Sequence, residues 1–496
     1  MALLDVNLPP GVFANGTPRQ AKGRYRLCSL VRWPDGTNLQ PVGGWVDRTT
    51  GSPASVTGKA RAVTTWSENS ATRWIGIGTN SKLYVQSPSG SISDITPSGF
   101  TAGNANATTG GGYGAGYYGV GSYGTARPDS ATITPASVWT LDTWGQYLVG
   151  CMDGDGKLYE WQLNTGTPAA AISGAPTGCA GLVVTDERFI FALKNRTVFW
   201  CDQGDNTDWT STATNQAGDQ DLDTHGRLIC GRAVTGGTLV FTTADVFIAR
   251  YQGLPTVYGF YKAGSDCGPV SKGSPVSLDS RCVWMGANSF YIYDGYTQSL
   301  PCEIADYIFS DINSQQISKV TGWHNTGFNE VWWHYPSGAS NENDRYVVWN
   351  YQRNIWYMGE LERLCGNASG VFKYPILIDG SGIVYEHEQG WDWDGEVPYA
   401  RTGPMDWAGA LGGSDFRMVV KGFVGDEAVQ GQSEVTFYGY EWPNDPVTTF
   451  GPYAITTAPV DVLFSTRLLE MQIEITEPAD ARAGIYQVDI VKGSKR

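Results

Sequence analysis

VWTLDTWGQYLVGCMDGDGKLYEWQL, Val138 to Leu163, reads as strand, Trp-Gly turn, strand, Asp-Gly-Asp-Gly turn, strand. Apolar residues fill the strand positions, and Gly and Asp fill the places where the backbone must reverse. Related units begin near Arg61, Gly178, Leu228, Gly273, Lys319 and Gly366. Each holds three or four short strands, and a tryptophan or tyrosine marks most of them. A period of about 40 to 50 residues with four strands per unit is the signature of a β-propeller. One such sheet cannot bury both of its own faces, so several must pack around an axis.

The composition agrees. The 496 residues include 63 Gly, 25 Pro and 19 Trp, a mixture of turn formers and flat side chains that suits many short strands and few helices. One helical segment stands out in CEIADYIFSDIN, where Ile304, Ile308 and Ile312 recur every fourth residue. Residues 1–60 read as an N-terminal arm able to lend a strand to the last unit and close the ring. Residues 61–400 form a six- or seven-bladed propeller, interrupted by a Gly/Tyr-rich insertion at 103–136. From 401 to 496 the strands are closer and alternate without blade-like turns, as in a C-terminal β-sandwich. The chain is all-β.

A formal charge of −15 argues against a protein that grips nucleic acid, because phosphate neutralisation needs a basic surface. The densest basic stretch, TPRQAKGRYR, carries Arg19, Lys22, Arg24 and Arg26, and is either a solvated arm or a docking point for an acidic partner. Nine cysteines form no CxxC pair, so zinc has no support and most are small core residues. The N-terminus lacks the charged and apolar regions of a signal peptide, and no apolar run is long enough to span a membrane. Stable membrane insertion is therefore not expected.

Motifs that suggest chemistry dissolve on inspection. GGGYGAGYYGVGSYG contains GxGxxG strings, but TARPDSATITP follows where a dinucleotide site requires a helix. A loop displaying Tyr113, Tyr117, Tyr118 and Tyr123 as a protein–protein tip fits better. Asp153-Gly-Asp155-Gly and Asp392-Trp-Asp394-Gly lack the acid that a calcium loop needs at its twelfth position. Glu386, His387 and Glu388 sit consecutively on a strand and point to alternating faces. No nucleophile elbow and no sialidase-type Asp box is present. Neither an enzyme nor a cofactor site is expected.

Several stretches together resemble the tail-hub or nozzle proteins of short-tailed bacteriophages, also called packaged-DNA stabilisation proteins. They are GGYGAGYYGVGSYGTARP with the unit at 138–163, DNTDWTSTATNQAGDQDL (205–222), GPVSKGSPVSLDSRCVWMGANSFYIYDG (268–295) leading into LPCEIADYIFSDIN, and the terminal STRLLEMQIEIT and AGIYQVDIVKGSKR. The resemblance covers most of residues 60–496 and brings no catalytic motif with it. It implies a hexameric ring below the portal–adaptor proteins that continues the DNA channel and helps retain the packaged genome. It also implies fibre, spike or needle proteins as neighbours, duplex DNA passing through the lumen without sequence-specific binding, and location in the virion tail after assembly in the host cytoplasm. A carbohydrate- or receptor-binding propeller, an adhesin or lectin, is the alternative from another class. A lectin should repeat the same Trp and Asp in every blade, and these units diverge.

Overall fold

The first hairpin of the diagnostic unit forms as its residues dictate. Trp139–Trp144 pairs antiparallel with Tyr147–Met152, and the reversal between them places Gly145 at φ +62°. Gly at the first turn position matches the twist of the two strands. The Asp-Gly-Asp-Gly reversal follows, with Gly154 and Gly156 both at positive φ, and Leu158–Trp161 and Ala170–Ala171 complete a four-stranded sheet. The computed structural model describes residues 2–109, 133–407, 416–443 and 445–495.

Seven such sheets lie among the described residues, and they are the blades of a propeller. Their innermost strands are Ala60–Ser67, Trp139–Trp144, Gly181–Val184, Leu228–Val234, Val276–Leu278, Thr321–Asn325 and Cys365–Asn367. Each packs on the next, and the seventh packs on the first. The core sits between blades, and glycines set how closely they approach. A Cβ at Gly78 of blade 1 would overlap the Trp139 ring of blade 2, whose indole N–H donates to the Thr79 carbonyl at 2.7 Å. The helical stripe appears as a short helix, Ala305–Asp311, with Ile304 and Ile308 fully buried and the chain extended again at Ile312.

Blade 7 takes its outer strand from the beginning of the chain. Trp45–Asp47 pairs with Val384–His387 in the register Trp45↔His387, Val46↔Glu386 and Asp47↔Tyr385. A buried ion cluster reinforces this closure. Arg32 contacts Glu330 of blade 6 at 3.1 Å and makes a two-pronged contact with Glu388 beyond blade 7. Arg32 and Glu330 are 1% and 0% exposed, so neither charge is compensated by water.

The sandwich begins earlier in the chain than residue 401. One sheet runs in the order Ala2–Val6, Tyr486–Lys495, Phe416–Val424, Val460–Thr466. The other runs Tyr25–Ser29, Tyr399–Thr402, Leu468–Ile475, Ser433–Tyr440, Thr448–Ala454. The arm thus supplies a strand to each sheet, pairings that local periodicity cannot announce. Phe450 and Phe464 stack between the sheets with centroids 4.1 Å apart. The sandwich leans on blade 6 through the arm, where the Leu30 N–H donates to the Tyr346 hydroxyl at 2.6 Å and the Cys28 thiol to the Met358 carbonyl at 3.0 Å.

Candidate functional site

The residues singled out from the sequence fall in two places. Tyr113, Tyr117, Tyr118 and Tyr123 lie outside the described residues. The basic stretch lies at the junction of arm and sandwich. Arg19, exposed on the turn Pro18–Ala21, is 4.0 Å from Asp406. Lys22 is exposed. Arg24 is half-buried, bonded to Glu303 at 2.5 Å and set over the Phe13 ring. Arg26 occupies a bulge in the strand Tyr25–Ser29. Two of the four cations, Arg19 and Arg24, therefore have an acidic neighbour within the chain, and Arg19 and Lys22 are the exposed pair.

The strand Val384–His387 separates the acidic and imidazole side chains that neighbour each other there. Glu386 bonds Arg48 at 2.5 Å, His387 is buried against the Trp45 ring, and Glu388 turns to Arg32. The Asp-Gly turns are also committed: Asp153 accepts from the Val138 N–H at 2.7 Å, and Asp155 from the Tyr159 hydroxyl at 2.6 Å. Among the described residues no cluster of three or more His, Cys, Asp or Glu is placed to hold a metal, and all nine cysteines are free thiols. Burial pushes the Cys28 and Cys282 thiols up to about 12, so they are poor nucleophiles.

One concavity is lined by residues from seven blades and could not be read from any single stretch of sequence. The seven inner strands enclose an axial cavity of about 510 Å³. Ala62, Thr140, Val183, Ser277, Gly322 and Gly366 are among its lining residues. In a chain of net charge −15, the cavity nevertheless meets Arg61, Arg232 and Lys272. Asp142 and Asp186 are the acids that line it. Burial raises the Asp142 carboxyl above the usual range, although the Val184 and Thr143 N–H groups donate to it.

The base of the Gly/Tyr insertion bonds to residues near the starts of the inner strands of blades 1 and 6. The Ala105 carbonyl accepts from Arg61 of blade 1 at 2.7 Å, and the Asn106 side chain accepts from Lys319, at the start of blade 6, at 2.6 Å. Ala107 exchanges bonds with the Gln316 side chain. Glu342 joins both cations, bonding Arg61 at 2.7 and 2.9 Å and Lys319 at 3.1 Å. Burial, then the nearby Arg61, lowers Lys319 to about 8 against the pull of Glu342. Burial works to raise Glu342, yet Arg61 and Lys319 together hold it below its ordinary value. The described base of the insertion is thus bonded to the inner strand of blade 1 and to the entry of blade 6.

At about 510 Å³ the axial cavity has the volume of a small-ligand site.

No family model and no curated protein matches the chain. Solved structures similar to it include a streptogramin B lyase, at 10% identity and a TM-score of 0.41 over 69% of this chain and 96% of that one. The catalytically inactive virginiamycin B lyase of Staphylococcus aureus with quinupristin has 8% identity and a TM-score of 0.41 over 69% and 98%. The Pan2 WD40 domain of Neurospora crassa has 9% identity and a TM-score of 0.38 over 70% and 94%. At these identities and TM-scores the matches carry no argument about function; that the chain is a β-propeller rests on its own seven sheets and their closed circuit of inner strands.

Proposed function

We propose that this chain is a non-catalytic structural subunit of a short bacteriophage tail, a hub or nozzle that assembles as a ring below the portal–adaptor proteins. The resemblance of residues 60–496 to that family is the starting point. The observation that carries the reading is how the first 47 residues are used. They place one strand in each sheet of the sandwich and the closing strand in blade 7, so propeller and sandwich are tied by the same segment. A load-bearing ring subunit needs such a tie, since adjoining domains otherwise move relative to one another. The axial cavity has the volume of a small-ligand site, and the conduit in this reading is the lumen enclosed by several copies. A net charge of −15 per copy lets DNA pass without adhering.

The sandwich also has edges fit for a head-to-tail contact. In its four-stranded sheet, Ala2–Val6 and Val460–Thr466 are the two outer strands, and each pairs on one side only among the described residues. Leu3 and Leu463, 53% and 80% exposed, stand on them. Strand direction alternates across this sheet, so the first strand of one copy continues the last strand of another in antiparallel sense. Open edges of this kind are normally covered, and a heterologous contact repeated by rotation closes a ring. Leu463→Arg is expected to leave folding within about 0.5 kcal/mol of the parent, as for an exposed site, while abolishing incorporation into tails. Incorporation of the variant at the parental copy number would remove this edge from the ring contact.

A further inference from the structure

We propose that the axial cavity of the propeller binds a small oxyanion of the phosphate class at the corner formed by Arg232 and Lys272. This stands independently of any role in a tail.

The cations of the cavity are not equivalent. Arg61 is neutralised by the two-pronged contact with Glu342, and Lys272 by Asp153 at 2.9 Å. Arg232 forms no ion pair within 4.0 Å among the described residues. Its guanidinium is fixed by main-chain carbonyls instead: Nε donates to Pro275 at 2.9 Å, Nη1 to Gly231 at 2.8 Å and Nη2 to Lys272 at 3.0 Å. A guanidinium has five N–H donors, so two remain without an acceptor among the described residues, on a residue that lines the cavity. Asp142 feels the Arg232 charge, but no ion pair within 4.0 Å joins them among the described residues, and each of its oxygens accepts one N–H, from Thr143 and Val184, at 2.8 Å.

Lys272 is 8% exposed and lines the same cavity. Its ammonium bonds Asp153 and the Ala180 carbonyl, which leaves the third donor available. Arg232 donates to the main-chain carbonyl of Lys272, so its guanidinium lies against the backbone of that residue, and both residues line the cavity. Arg61 adds a buried Nε–H with no acceptor.

A fixed fork beside a compact charge suits a tetrahedral oxyanion, for which Arg supplies two parallel donors and Lys a point charge. Because the carbonyls already hold the guanidinium, little side-chain freedom is lost on binding. The cavity volume admits a small molecule.

The test is titration of the full chain with inorganic phosphate by calorimetry and by thermal unfolding, against sodium chloride at matched ionic strength. Saturable binding and a phosphate-specific rise in Tm are expected for the parent chain. Arg232→Gln should weaken the affinity about tenfold or more, the effect of losing charge-assisted bonds. Arg196→Gln, at an exposed arginine away from the cavity, should leave it unchanged. A Tm rise that chloride reproduces, or binding that survives Arg232→Gln, overturns the proposal. Should the Arg232 variant fail to fold, crystals of the parent soaked in selenate decide the matter. An anomalous peak between Arg232 and Lys272 supports the site, and a cavity without one refutes it.

Discussion

Arg32→Ala is expected to destabilise the chain by about 3 to 5 kcal/mol, the effect of removing one partner from a buried ion pair. Among the described residues Arg32 is the one cation paired with two carboxylates, Glu330 and Glu388, in this cluster. Asn325, Trp332 and Tyr357 complete the bonding, with Asn325 donating to Glu388 at 2.9 Å and Trp332 to Glu330 at 2.9 Å. The Phe328 ring lies 3.7 Å from the guanidinium carbon. Without the arginine, two acids remain in a dry pocket at the point where blade 6, blade 7 and the arm meet. A loss of that size is a large share of the roughly 5 to 15 kcal/mol of a folded domain. Urea unfolding followed by tryptophan fluorescence measures it. Adding Glu330→Gln and Glu388→Gln to the variant should recover part of the loss, because the stranded charges are gone. An Arg32→Ala midpoint equal to that of the parent would show that the cluster is not what fastens the ring.

Acid should loosen the same seam. His334 and His387 are buried, and burial, then the Arg363 charge, pushes His334 down to about 3 and His387 well below its ordinary value. A histidine with a lowered folded pKa contributes stability above its unfolded value of about 6.5 that is lost as pH falls toward the folded value. Glu330 acts in the opposite sense. Burial, with Glu388 adding and Arg32 opposing, raises it to about 7, so between about 7 and 4.5 the folded state keeps a proton that the unfolded chain releases. Between pH 6 and 5, unfolding takes up about two protons at the histidines and releases about one at Glu330. These three groups together therefore contribute a fall in stability of about 1.4 kcal/mol per pH unit there, and about twice that below pH 4.5. Urea midpoints across pH 7 to 4 give the slope directly. His334→Leu removes one of the titrating groups and should shift the slope by about 1.4 kcal/mol per unit toward acid resistance. An unchanged slope in that variant would mean that His334 is not the acid-sensitive group.

The ring of blades was legible in the sequence because each blade is a local object. The starts expected at Arg61, Val138, Leu228 and Lys319 lie within a few residues of the inner strands at Ala60, Trp139, Leu228 and Thr321. Turn glycines and strand alternation fix those positions without reference to the rest of the chain. The seam was not legible, since its parts are far apart along the chain: Arg32 bonds Glu330 and Glu388, and Ala2–Val6 pairs with Tyr486–Ile490. The one local hint is Arg32 itself, an arginine set between Val31 and Trp33 in an apolar run. Likewise Arg61, Arg232 and Lys272 are isolated charges in separate blades. They become a cavity only when seven inner strands close on one another. The candidate residues in the basic arm were chosen by local charge density, a signal blind to Glu303, which lies on the other side of the sequence and satisfies Arg24.

The central claim concerns assembly, and the direct measurement is a cryo-EM reconstruction of tails from particles encoded with this chain, together with its copy number by quantitative mass spectrometry. The account predicts a closed ring of about six copies, head to tail, below the portal–adaptor assembly, with DNA in the lumen between subunits. Absence of the chain from the particle, or isolated monomers on the tail surface with a glycan-array signal from the purified protein, would contradict it.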